Sequence, residues 1–357
     1  MHQHHSIIDA ATRDAFVARA TGDLSAGYGG VMVHLGHRLG LYRTMSGAGP
    51  LAPQELAARA GCAERYVREW LGSQVAGGYV RYHPVSGTYE LTAEQAMVLA
   101  DEDSPAFIPS GWLTVASMWA DVEKAVHAFR TGAGVPWGDH DGRLYCGVSA
   151  LYRNCYRASL VADWLPALDG MVDQLEAGAR VADVGCGHGH STLLMAEAFP
   201  RSEFHGFDAH PDSIAQARRL AEEAGMGARV RFETARADAF PTAGYDLVCL
   251  FDCLHDLGDP VAAAARAARA IAPGGRVMLV EPFANDSLED NVSSIARLYY
   301  AASTTICCAH AISEGGHHVL GAQAGEARLA EVFRRAGFRR FKRVAETPFN
   351  LVFEARP

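Results

Sequence analysis

Asp183-Val184-Gly185-Cys186-Gly187-His188-Gly189 puts an acid and three alternate glycines into one short run. Glycines so spaced let a backbone pass close beneath a ligand and turn sharply into a helix whose free amide donors lie nearby. A dinucleotide fingerprint wants its third glycine five residues after the first, but position 190 is His, which disfavours a nicotinamide dinucleotide. Asp208 follows 23 residues after Gly185. There a carboxylate can accept hydrogen bonds from both ribose hydroxyls of a nucleoside, although a plain helix-start acid ahead of Pro211 gives the same letters.

The elements that carry these residues alternate strand and helix after Ala179. RVADVG, a helix over 190–199, EFHGFD, a helix over 211–224, RVRFETA, YDLVCLFD, an alanine-rich helix near 260–272 and RVMLVEP follow one another. Such alternation builds a doubly wound parallel α/β sheet with ligands at the carboxyl ends of its strands. FRRFKRVAETPFNLVFEARP reads as two closing strands joined at Pro348, the antiparallel pair that ends a seven-stranded Rossmann-like sheet.

The first half is mostly helical. Residues 10–45 carry an apolar helical pattern broken by glycines, and LAPQELAARAG gives a short helix opened by Pro53 and closed by Gly61. A third helix runs from about Ala63, with Val67, Trp70, Leu71 and Val75 on one face, to Gly77-Gly78. YVRYHPVSGTYEL forms a hairpin around Pro84 to Gly87, and Thr92 with Gln95 makes a capping box. Three helices and a hairpin are the order of a winged-helix module, and these residues resemble the amino-terminal domain of many small-molecule methyltransferases. Residues 51–100 hold five acids against four arginines, so the would-be recognition helix is not basic and nucleic acid is not the expected partner.

The glycine run, with its acid two residues before the first glycine, resembles the loop of class I S-adenosylmethionine-dependent methyltransferases. That resemblance covers about residues 51–357. It implies S-adenosyl-L-methionine as cofactor, with Asp183, Gly185, Cys186, Gly187, Asp208, Ala209, Asp238, Ala239, Phe251 and Asp252 around it. Asp238 would receive the adenine amino group, beside a backbone donor from Ala239. LHDLGD resembles the HDWxD-type segment of small-molecule O-methyltransferases, with Leu257 in place of Trp, and makes His255 the candidate general base. An imidazole titrating near neutral pH suits that task. Glu281 stands at the position that orients such a base. RLYYAAST, LGAQAGEARL and AETPFNLVFEARP resemble a bacterial subgroup of winged-helix-bearing methyltransferases, often labelled regulators, whose methyl acceptor is unassigned.

The expected organisation is therefore a winged-helix dimerisation domain over 1–100, a helical linker and substrate lid over 101–170, and a methyltransferase domain over 171–357 with a lid insertion at 284–320. The expected function is methyl transfer to a small acceptor bearing a hydroxyl or an amine. The alternative is a cofactor-binding transcriptional regulator without methyl transfer. Within the insertion, Leu288, Val292, Ile295, Tyr299, Ala302 and Ile306 recur at helical spacing, and Asp286, Glu289 and Asp290 would complement the amino end of that helix. Trp112, Trp119, Trp137, Tyr145, Tyr152, Tyr156 and Trp164 read first as core, with a minority available to wall an acceptor pocket.

At 357 residues, 49% hydrophobic and 20% charged, the chain suits two ordinary domains and excludes disordered or fibrous classes. A net charge of -9 without a basic cluster argues against phosphate-backbone binding. No run of 18 apolar residues suggests a membrane span, and MHQHHSIIDA lacks the pattern of a secretory leader, so a cytoplasmic location is expected and MHQHH reads as a disordered leader. Eight cysteines without CxxC or zinc spacing read as reduced thiols. Cys307, Cys308, His310, His317 and His318 match no familiar metal site, and no metal is expected. A mixed apolar stretch at 10–45 points to a homodimer built through the amino-terminal third.

Overall fold

The computed structural model describes residues 8–357, so the expected MHQHH leader lies outside the described residues. The chain forms two compact units, dividing between Val115 and Ala116.

In the first unit, α1 (Ala10–Arg38) is capped by Asp9, whose carboxylate accepts from the amides of Ala11 and Thr12. Gly40, in left-handed backbone, separates it from α2 (Leu41–Met45), so the expected single helix is two. α3 (Pro53–Ala60) starts on proline and ends on left-handed Gly61, while α4 (Glu64–Ala76) buries Val67, Trp70 and Leu71. The indole of Trp70 donates to the Met32 carbonyl at 2.9 Å and meets Tyr42 edge-on, which ties α4 to α1 and α2. β1 (Arg81–His83) and β2 (Thr88–Glu90) pair antiparallel as the wing, and α5 (Ala93–Leu99) opens with the Thr92–Gln95 capping box.

α6 (Gly111–Ala120) crosses the division, and the second unit continues with α7 (Val122–Thr131), α8 (Arg143–Ser159) and α9 (Met171–Ala177). There follow β3 (Arg180–Val184), α10 (His190–Ala198), β4 (Glu203–Asp208), α11 (Pro211–Glu223), β5 (Val230–Thr234), β6 (Tyr245–Phe251), α12 (Pro260–Ala270) and β7 (Ile271–Pro282). The chain then runs through α13 (Ser294–Ala302), α14 (Cys308–Ser313), α15 (Gly325–Arg335), β8 (Arg340–Glu346) and β9 (Asn350–Arg356). The sheet order is β5-β4-β3-β6-β7-β9-β8, with β9 antiparallel to both neighbours. Strands buried on both faces read as near-continuous apolar runs, and β6 and β7 do so because helices cover each side.

The chain builds outward from β3 through β4 to β5, then returns to lay β6 on the other side of β3. That reversal opens a crevice at the carboxyl ends of β3 and β6, the position where doubly wound sheets hold ligands.

The insertion departs from its sequence pattern. α13 begins only at Ser294, capped by the Ser293 hydroxyl on the Ala296 amide, and Leu288 and Val292 are exposed on the loop before it. Asp286 does not serve that helix: its carboxylate accepts from the Ala327 amide in the first turn of α15, 41 residues away. Asp290 is held in a local turn by Ser287. Apolar spacing alone cannot distinguish a helix from a loop whose acids find better partners elsewhere.

Candidate active site

The glycine loop takes the geometry its composition requires. Gly185, Gly187 and Gly189 all have positive φ, a region that side-chain-bearing residues enter at a cost. A Cβ on Gly185 would lie 2.7 Å from the Cys253 side chain, so the loop is packed beneath, whereas one on Gly187 would meet nothing within 4 Å. The loop is thus anchored on one side and open on the other. The amides of Gly185 and Cys186 donate to the Phe207 carbonyl, fastening the end of β3 to β4.

Asp208 completes the cradle. One carboxylate oxygen accepts the Gly187 amide at 2.9 Å and the other accepts the His210 amide at 2.8 Å. Each oxygen keeps a lone pair for a further donor. Burial raises the pKa of this acid, while the two amides and the nearby imidazoles oppose that shift. Ala209 lies between the two ends of this clasp.

Asp183 has another task. Its Oδ2 accepts from the hydroxyls of Ser191 and Thr192, both at 2.6 Å, binding the loop to the start of α10. Burial outweighs those bonds and pushes its pKa up to about 6, and Oδ1 is buried with no partner. Cys186 is buried, its thiol shifted well up by desolvation, which leaves it inert packing.

The third strand end is less open than expected. Asp238 pairs with Arg236 at 3.2 Å, and Arg236 also reaches Glu314 at 2.8 Å. The Ala239 amide donates to the Arg236 carbonyl at 3.0 Å. The backbone donor expected from Ala239 is therefore already used to close its own turn.

Beyond β6 the chain enters the most strained point among the described residues: Asp252 has φ +52, the one positive value outside glycine. Such a conformation costs of order 1–3 kcal/mol and persists only where its surroundings dictate it. The Asp252 amide donates to the Val280 carbonyl on β7, and its Oδ1 is shut off from solvent without a hydrogen-bond partner. Phe251, buried at the end of β6, lies beside the ring of Tyr156 on α8.

His255 and Glu281 meet as the strand order requires. His255 Nδ1 lies 2.5 Å from Glu281 Oε2, and Glu281 Oε1 accepts the Leu254 amide at 3.0 Å. Unforeseen from sequence is Asp256, whose Oδ1 lies 3.1 Å from His255 Nε2. Burial disfavours the imidazolium, but Asp256 and Glu281 outweigh it and hold the His255 pKa well above its ordinary value. The burial of Asp256 would raise its pKa, and His255 reverses this to a net lowering. Adjacency to His255 in LHDLGD was the one sequence signal for Asp256. Cys307 joins this pair, and one donor atom from each of His255, Asp256 and Cys307 falls within 4.8 Å, the single such group among the described residues.

Fold and site together have the form of a class I methyltransferase domain. Residues 175–337 match the family described as Methyltransferase domain, and residues 27–101 match the Rv2258c-like winged HTH domain, so the chain carries both. Demethylmenaquinone methyltransferase of Thermus thermophilus is 33% identical over 106 residues, 30% of this chain and 48% of that protein. 27-O-demethylrifamycin SV methyltransferase of Amycolatopsis mediterranei is 35% identical over 114 residues, 31% of this chain and 41% of that protein. The chain thus spans under half the length of these curated relatives. Among solved structures, the mitomycin 7-O-methyltransferase MmcR shares the fold at TM-score 0.68 and 19% identity, over 98% of this chain and 100% of that one. Human N-acetylserotonin methyltransferase, solved with S-adenosylmethionine, does so at TM-score 0.70 and 18% identity, over 100% of this chain and 99% of that one.

Proposed function

We propose that this chain transfers a methyl group from S-adenosylmethionine to a small-molecule acceptor, through a hydroxyl or an amine. The observation that carries the reading is the Asp208 clasp on an open glycine loop at the switch point of the sheet. The donor set suits the cofactor: a carboxylate with spare lone pairs for a ribose diol, beside a backbone stripped of side chains. Bound there, S-adenosylmethionine supplies an electrophilic methyl on a sulfonium. The chain's own part is to align the acceptor and exclude water. The 101–170 segment divides at Val115, and its later portion brings Tyr145, Tyr152 and Tyr156 toward the cofactor side. Tyr145 stacks on His210 at 4.8 Å. The 284–320 insertion brings Tyr299 near Asp252 and Cys307 near Asp256 and His255. O-methyltransferases among the structural neighbours support a hydroxyl acceptor.

His255 remains the candidate general base of this reading: Glu281 holds its Nδ1, while Nε2 lies 3.1 Å from Asp256 Oδ1, an oxygen with no hydrogen-bond partner.

Transfer of labelled methyl to 1,4-dihydroxy-2-naphthoic acid or to amine and phenol probes, run beside a gel shift on duplex DNA at low salt, separates this function from a winged-helix regulator. Methyl transfer with no shift supports it; a shift with no S-adenosylhomocysteine binding overturns it. On α4, Arg65 pairs with Glu69 and Arg68 with Glu64, so the basic groups of that helix are already neutralised. No helix of the described residues is long and apolar enough to cross a membrane. Eight free cysteines support a reducing, cytoplasmic setting.

A homodimer belongs to the same reading. Phe16, Val17, Leu24, Tyr28 and Val31 are all exposed along α1, a stripe that a second copy would cover. Light scattering at tens of micromolar should give twice the chain mass, and Leu24→Asp with Tyr28→Asp should give monomers. A wild-type monomer counts against the dimer.

A further inference from the structure

We propose that the carboxyl group of Asp252 seats a positively charged amino group of the methyl acceptor, and so selects acceptors that carry a basic nitrogen in addition to the group that is methylated. This rests on the methyltransferase reading above and names the acceptor class within it.

Asp252 follows β6, beside the glycine loop after β3 and one strand from Glu281 on β7. Its Oδ1 is buried without a hydrogen-bond partner, while the Tyr152 hydroxyl hydrogen-bonds the carboxyl group. Native structures rarely leave a buried carboxylate oxygen unpaired unless something else completes it. Asp252, Tyr152 and Tyr299 each remain partly exposed, so the group lies at the edge of the crevice and not in the sealed core. The rings around it select the donor. Tyr152 and Tyr156 on α8 have centroids 5.9 Å apart, and Tyr156 lies 5.7 Å from Phe251, while α13 brings Tyr299 near the same carboxyl. Aromatic faces attract cations, so a carboxyl bordered by such rings suits an ammonium group better than a neutral hydroxyl.

The charge balance points the same way. The 3-10 turn presents His255 and Asp256, β7 presents Glu281, α8 presents Tyr152, Cys155 and Tyr156, and α13 presents Tyr299. One imidazole thus faces three acids, and even doubly protonated it offsets only one of them. Among the described residues neither Asp252 nor Asp256 is ion-paired with a lysine or an arginine. Burial raises the pKa of Asp252 most, His255 opposes it, and Glu281 and Asp256 add to it, so the carboxyl is pushed up to about 7. A seated ammonium group favours the ionised form and supplies the positive charge that the chain itself does not. That cation belongs to the acceptor, because the groups bordering Asp252 come from α8 and α13, whereas the cofactor cradle is built from the glycine loop and Asp208 at the ends of β3 and β4.

The test uses matched pairs that differ in charge and little in shape: tyramine with tyrosol, tryptamine with tryptophol, and benzylamine with benzyl alcohol, each titrated into protein loaded with S-adenosylhomocysteine. At least one amine should bind about ten- to hundredfold more tightly than its alcohol. Asp252→Asn, which keeps the shape and tolerates positive φ, should abolish that preference while S-adenosylhomocysteine affinity moves less than about threefold. In wild-type protein labelled with 13C at the aspartate carboxyls, the preferred amine at pH 6 should remove a protonated-carboxyl infrared band that the alcohol leaves in place, a measurement that needs no folded variant. No amine preferred in any pair, a preference that survives Asp252→Asn, or a carboxyl band indifferent to the amine overturns the proposal. So does a variant that loses S-adenosylhomocysteine but keeps 5′-methylthioadenosine, which lacks the amino-acid end, because the seat would then hold the cofactor's own ammonium group. A wild type that fails to bind S-adenosylhomocysteine overturns the methyltransferase reading itself, and the amine and alcohol pairs, titrated without it, still report on Asp252.

Discussion

Asp208→Ala should weaken S-adenosylhomocysteine binding about ten- to hundredfold by titration calorimetry. The carboxylate would offer charged acceptors to two ribose hydroxyls, and losing such bonds costs about 1.5–3 kcal/mol. The structure adds a second contribution, because the same two oxygens hold the Gly187 and His210 amides. Alanine frees both donors, so the loop loses its shape along with its ligand contact. Asp208→Asn separates the two effects. Its single amide oxygen can keep one backbone donor, but its NH2 group opposes the other, and an intermediate affinity is expected. Unchanged affinity accompanied only by a lower melting temperature would show Asp208 to be a brace for the loop and nothing more.

His255→Ala and Glu281→Gln should each destabilise the folded protein, the first by about 3–5 kcal/mol, because breaking a buried pair leaves an uncompensated charge. In His255→Ala, two buried carboxylates face each other across an emptied site. In Glu281→Gln the imidazolium keeps Asp256, so the loss is smaller. Urea unfolding midpoints check both. The pH dependence supplies a separate signature. The folded pKa of His255 is raised above its unfolded value near 6.5. Its contribution to stability is therefore fully present below about pH 6.5 and is lost as pH rises through the folded value. Wild-type stability should fall on the alkaline side with a slope that His255→Ala lacks. Equal slopes in the two proteins would mean that the ring is neutral in the folded state.

Whatever depends on local spacing was legible in the chain before folding. Three alternate glycines after an acid specify a loop that only positive φ can close, and Pro53 with Gly61, or Thr92 with Gln95, mark helix ends whose capping groups lie within one turn. The resemblance of LHDLGD and of the Glu281 position to small-molecule O-methyltransferases paired His255 with Glu281, and strand and helix alternation put both at neighbouring strand ends, where they meet. Competition between partners, in contrast, was resolved only in the folded molecule. Asp286 lies where it could cap a helix beginning nearby, yet it caps α15. The Ala239 amide lies where it could meet a nucleobase, yet it closes a turn. Asp252, Cys253 and Asp256 lie within one short segment, yet each meets a different fate, and the Cys253 side chain packs under Gly185. The two acids each keep a buried Oδ1 without a hydrogen-bond partner, but that of Asp256 faces the imidazole at 3.1 Å, because the 3-10 turn over Leu254–Asp256 after a left-handed residue sends neighbouring side chains in different directions. A hydrogen-bonding group takes the best donor or acceptor that the folded chain brings within about 3 Å, and that choice is made in space, among residues far apart in sequence.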